Sequence, residues 1–175
     1  MSLLSRLLGD RSDRLSYQPL YSAVVAIGRD PAWYRAGQVP DTVSGRFDVI
    51  AAIFSLLLLR LEREETQEAR TASVLLTELF ADDMDGSLRE IGIGDLVVGK
   101  HMGRLMGALG GRLGAFRSAG IDSAALSAAV DRNIFHENAP SPEALDFVSQ
   151  RLGRLAAALD AQSAEAILAG RMPQP

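Results

Sequence analysis

The stretch Val49–Leu59 is apolar at every position except Ser55, with Asp48 just before it and Arg60 just after it. A helix made of these residues is apolar all the way round, so it has no side to offer water and must sit among other elements. The run is also too short to cross a bilayer, which takes about 20 apolar residues. A chain of 175 residues is long enough to build one domain with a substantial core around such a helix. The surrounding elements should be helical as well. Leu and Ala supply most of the apolar content, aromatic residues are only 6%, and neither β-type alternation nor an internal repeat is present. The expected fold is an all-α, single-domain bundle of six to eight helices, built around Phe47–Leu61 and Leu96–Phe116. Its expected divisions are an N-terminal amphipathic segment (1–15), a helical domain (16–161) and a C-terminal tail (162–175), with Gly170–Pro175 frayed.

Helix start and stop signals fill in the bundle. Ser16 or Gln18 opens a helix with Pro19 in its first turn, ending near Gly28. Asp30-Pro31 opens a short helical turn carrying Trp33 and Tyr34. Gly37–Gly45 reads as a loop in which Asp41 or Ser44 can cap the central helix. The charged end of that helix, Arg60–Glu68, should reach water. The next helix is expected to stop at Asp82. The stretch Asp83–Asp95 then forms a corner with a short helix of its own, where Ile91-Gly92-Ile93-Gly94 is a stop and Asp95 a fresh cap. In that corner Asp82 or Asp83 near a helix start would gain from the macrodipole, and Arg89 can pair with Asp85 one turn earlier. A long helix should run from Leu96 to about Arg117, and another, capped by Asp122 or Ser123, to about Asn133. Ser141-Pro142-Glu143-Ala144 starts the last long helix, which ends near Ala161.

The helix from Leu96 carries Gly99, Gly103, Gly107 and Gly111 at steps of four, with Gly110 and Gly114 close by. Each glycine costs about 1 kcal/mol against alanine inside a helix, so a close approach should compensate. Beside this strip lies a Leu/Met face, and on its other side a basic row of Lys100, Arg104 and Arg112. The plainer expectation is a neighbouring helix of the same domain seated on the glycines. The sharper one is a helix of another protein, as small-residue strips receive in membranes.

Several chemistries are excluded or unsupported. There is no cysteine, hence no disulfide, thiolate zinc site or thiol nucleophile. The net charge of −4 argues against nucleic-acid binding, which needs a cationic footprint. Asp82-Asp83-Met84-Asp85 fails the calcium-loop spacing, because glycine arrives at the fourth position from Asp83 and not the sixth. An aspartate-rich prenyl transferase would carry an aspartate where Gly86 stands, and would need a second such motif. His101 and His136 are far apart with no second ligand nearby. No Gly-x-Ser-x-Gly, Walker loop or dinucleotide fingerprint is present. No catalytic, cofactor or metal residues are therefore assigned, and any binding activity runs without nucleotide. Leu3, Leu4, Leu7 and Leu8, with Arg6, Arg11 and Arg14, make a small amphipathic patch able to rest on an anionic membrane surface. Neither a secretory nor a mitochondrial leader is recognisable, so a cytoplasmic location is expected.

Read as one string, Phe80-Ala-Asp-Asp-Met-Asp-Gly-Ser-Leu-Arg-Glu-Ile-Gly-Ile-Gly-Asp-Leu96 resembles the central motif of the ubiquinol–cytochrome c chaperone family. The likeness extends upstream through Tyr34, Val39-Pro40-Asp41-Thr42 and Gly45-Arg46-Phe47-Asp48. Downstream it runs through Lys100 and Met102, and more loosely to Arg132-Asn133-Ile134-Phe135, so it covers most of Ser16–Phe135. The resemblance implies a non-enzymatic chaperone for assembly of the cytochrome bc1 complex, with cytochrome b or another bc1 subunit as client. It also brings in a small partner protein of the kind mitochondrial members use. Candidate partner-binding residues are Asp82, Asp83, Asp85, Arg89, Lys100, Gly103, Arg104 and Gly107, with Glu90 and Asp95 holding the corner's geometry. Two other readings stand beside it: a metal-dependent, all-helical prenyl transferase-like enzyme built on Asp82–Asp85, and a generic helical adaptor.

Overall fold

The computed structural model describes residues 14–90, 95–120, 122–136 and 138–175. Among these there are eight α-helices and no strand: α1 (Gln18–Gly28), α2 (Ala32–Arg35), α3 (Val43–Glu62), α4 (Gln67–Glu90), α5 (Asp95–Ala119), α6 (Ser123–Val130), α7 (Pro142–Ala161) and α8 (Ala164–Leu168). A π-helical turn, Asp131–Phe135, follows α6 directly.

Helix α3 is the axle of the bundle, with α1, α4, α5, the π-turn and α7 all packed against it. Residues Phe47–Leu57 are buried without a break. Phe54 stacks on Phe80 of α4 at 5.0 Å between ring centroids, and Tyr21 of α1 meets the Phe54 ring edge-on at 6.2 Å. Gly45 is required by the tight loop ahead of α3, because a Cβ there would lie on the Pro40 carbonyl oxygen. The cap of α3 is neither Asp41 nor Ser44 but Thr42, whose hydroxyl accepts from the Gly45 N–H at 3.1 Å. The caps at Asp122 and Ser141 fall where expected, accepting from Ala125 and Ala144 at 2.8 and 3.2 Å.

Most of the charged end of α3 and the turn after it reaches water as expected, Glu62, Arg63, Glu65 and Glu68 all being exposed, but Arg60 does not, nor does Asp48 at the other end of the apolar run. Asp48 is 3% and Arg60 9% exposed. Arg60 donates to the carbonyls of Leu159 and Gln162, both at 3.0 Å, and to Glu64 at 2.5 Å, so it closes the end of α7 onto α3. The tail also does more than fray. Ile167 is fully buried, Met172 packs against the core, and the Arg171 carbonyl accepts from the Gln162 amide at 2.6 Å.

Candidate interaction face

Helix α4 does not stop at Asp82. It continues unbroken to Glu90, so Asp82, Asp83 and Asp85 lie in its last turns and not at a helix start. The macrodipole does not favour carboxylates there, and each has a partner instead. Asp82 accepts from Arg14 at 2.7 Å, and Asp83 from the Tyr21 hydroxyl at 2.7 Å. Asp85 accepts from Arg89 Nε at 2.7 Å, one turn on, the pairing that helical spacing implies. Tyr21 is buried, and burial followed by the Asp83 carboxylate pushes its phenol far above the ordinary value. Asp83 is thus half-buried and ties α4 to α1, while Asp82, Asp85 and Arg89 present charge at the surface. No three His, Asp or Glu side chains among the described residues are grouped so as to hold a metal ion. The stop at 91–94 and the side chains of Glu90, Asp95, Lys100 and His101 lie outside the described residues.

The glycines of α5 take a position that neither packing within the domain nor propensity explains. A Cβ built on Gly99, Gly103, Gly107, Gly110, Gly111 or Gly114 would meet nothing within 4 Å. No neighbouring helix among the described residues is seated on them, and all but the half-buried Gly114 are exposed. At 3.6 residues per turn, these six fall within an arc of roughly 120°, diametrically opposite Leu105, Leu109 and Phe116 on the core side. Arg104 borders the arc, exposed and without an ion pair among the described residues. Towards the C-terminus the track leads into a cleft of about 300 Å³ between α5 and α6, lined by Gly114, Ala115, Ser118, Ala119, Ala125, Ala128 and Arg132.

Arg112 does not belong to the exposed basic row. It lies on the inner side of α5, 2% exposed, paired with Asp48 of α3 and donating to the Asn133 carbonyl at 2.7 Å. Its guanidinium stands 5.2 Å from the centre of the Phe47 ring, and its Nε has no hydrogen-bond partner among the described residues. His136, half-exposed, reaches the other Asp48 oxygen at 3.0 Å through Nε2. Burial pushes the Asp48 carboxyl above the usual carboxylate range, with Arg112 and His136 pulling against it, and burial likewise lowers Arg112. The π-turn makes this cluster possible. Its wide ring, closed by His136 N–H to the Asp131 carbonyl at 3.0 Å, aims the Asn133 carbonyl inward and sets His136 at φ 54°. One signal was present in the sequence: at 100° per residue Arg112 falls on the apolar stripe with Leu105, Leu109 and Phe116, not beside Arg104.

Comparison with known proteins bears on the fold and the family. No curated protein matches the chain. A solved structure, the crystal structure of the Cbp3 homolog from Brucella abortus, is similar to it with a TM-score of 0.82 and 30% sequence identity, over 99% of this chain and 97% of the other. The pattern of the ubiquinol–cytochrome C chaperone family matches residues 35–173. That span holds the end of α4, the bare face of α5 and the Asp48–Arg112–His136 cluster alike, and the chain belongs to the ubiquinol–cytochrome c chaperone family.

Proposed function

We propose that this chain is a non-enzymatic assembly chaperone for the cytochrome bc1 (ubiquinol–cytochrome c reductase) complex. Its client is newly made cytochrome b, which it keeps competent for haem insertion and for joining the other subunits. Membership of the family supports the complex, and the bare outer face of α5 carries the choice of client. Six glycines in one helix cost several kcal/mol in propensity, and nothing in the described chain covers them. A backbone left this open suits a partner helix that approaches closely, and small-residue strips are where membrane helices meet. Gly103 and Gly107 form the centre of the contact. Arg104 flanks it, Lys100 joins it by its place in the sequence of α5, and Asp82, Asp85 and Arg89 at the end of α4 give it a polar rim, where a small partner protein would also sit. The chaperone works at the cytoplasmic side of the membrane, with Leu3, Leu4, Leu7 and Leu8 as a peripheral contact. No helix among the described residues is long and apolar enough to cross.

The test is Gly103→Leu/Gly107→Leu. With no neighbour to clash with and a better helix former at each site, the variant should melt above the parent by the equivalent of about 0.5–1 kcal/mol per site. Cytochrome b should no longer co-purify with it, and bc1 content should fall in a strain that depends on this gene. Full assembly by the stabilised variant would remove this face from client binding.

A further inference from the structure

Beside the loop that leads into α3, on a different part of the surface, is a recess of about 260 Å³ lined by Arg29, Pro31, Tyr34, Arg35, Asp41 and Arg46. It collects three guanidinium groups and one carboxylate in a protein whose net charge is −4. Two ion pairs account for the acids within reach. Asp41 accepts from Arg46 Nε at 2.7 Å, and this partner holds its carboxyl below the usual range. Asp30, next to Arg29 in the chain, is occupied by the Ala32 N–H at 2.9 Å and by Arg151 at 2.5 Å. Arg29 and Arg35 are exposed and have no carboxylate partner among the described residues.

The recess is firmly built. The Tyr34 hydroxyl donates to the Gly28 carbonyl at 2.6 Å, which joins the end of α1 to α2 and fixes the ring as a wall. Arg46 lies over that ring, 5.9 Å from its centre, with Nε turned to Asp41 and its remaining N–H groups without a partner among the described residues. Guanidinium groups arriving from different helices suit an anion with several acceptor oxygens disposed tetrahedrally, more than a planar carboxylate that one arginine can saturate. We propose that this recess binds a phosphate group, gripped by Arg29 and Arg35 and bounded by the Arg46–Tyr34 stack. The group can belong to a free phosphate or to an anionic lipid headgroup. The site does not depend on the client reading above.

The experiment uses the full chain in two arms. Inorganic pyrophosphate is titrated calorimetrically at low salt, and flotation is measured with phosphatidylcholine vesicles with and without phosphatidylglycerol. Both are repeated with Arg29→Gln/Arg35→Gln and with Arg154→Gln/Arg171→Gln, which removes the same charge from exposed arginines elsewhere. Melting should be alike in all three, since every substituted side chain is exposed. In the first variant pyrophosphate affinity should fall at least about tenfold, the loss of one charge-assisted contact, while the second binds as the parent does. Vesicle binding that needs phosphatidylglycerol and disappears with Arg29 and Arg35 identifies a lipid headgroup. Pyrophosphate binding without vesicle binding identifies a free phosphate. No binding in either arm, or equal losses in the two variants, overturns the site.

Discussion

The guanidinium of Arg112 is held between Asp48 on α3, the Asn133 carbonyl of the π-turn and the ring of Phe47. Removing two charges from water costs several kcal/mol per ion, and their attraction offsets this only when both are present. Taking away one partner is therefore worse than taking away both. Arg112→Met leaves Asp48 buried with His136 alone, and Asp48→Leu leaves a buried cation whose Nε already lacks a partner among the described residues. Each single change is expected to cost about 3–5 kcal/mol. The double variant should recover a large part of that, giving a coupling well above the few tenths expected of independent sites. Chemical denaturation of the four proteins of the cycle measures it. Additive losses would show that the cluster does not join α3 to α5 as a unit.

At the scale of elements, the end of α4 separates structural charges from presented ones. Asp83 is the acceptor for a buried tyrosine hydroxyl, and an unsatisfied buried donor costs about 1–3 kcal/mol. Asp83→Ala should lower the melting temperature measurably, and Tyr21→Phe in the same chain should restore much of it. Asp82→Ala removes a surface ion pair to Arg14 and should change stability by no more than about 0.5 kcal/mol. Calorimetric melting of these variants distinguishes the two aspartates. If Asp83→Ala melts with the parent, the tie between α1 and α4 is not holding the bundle. The caps at Asp122 and Ser141 were readable because one side chain and one N–H decide them. The length of α4 was not, because Gly86-Ser87 after three aspartates looks like a break. Burial of Met84 against the bundle carries the helix past Asp82, a term that local sequence does not display, and the pair of Asp85 with Arg89 spans Gly86, whose place in the helix costs about 1 kcal/mol.

Across the whole molecule, the central place of α3 was legible because a run apolar on all sides leaves no alternative arrangement. The bare face of α5 was not, because glycine has no side chain to indicate whether its surface is covered or open. The two helices consequently set stability and surface apart. Core side chains of α5 point inward to α3, and the glycines point away from every described part of the chain. Substitutions on the two should then behave in opposite ways. Leu57 is fully buried at the middle of α3, and Leu57→Asp places there a charge that no neighbour can pair. That change costs several kcal/mol, a large share of the roughly 5–15 kcal/mol that holds a domain folded. The expected result is loss of soluble, folded protein, with bc1 content falling only because the chaperone is gone. Val74→Asp, on the exposed side of α4, adds the same charge and should leave the helical circular dichroism and its melting almost unchanged. Should the Leu57→Asp chain melt like the parent, α3 would not be the axle of the bundle, and the separation between a packed inner face and an open outer face of α5 would lose its basis.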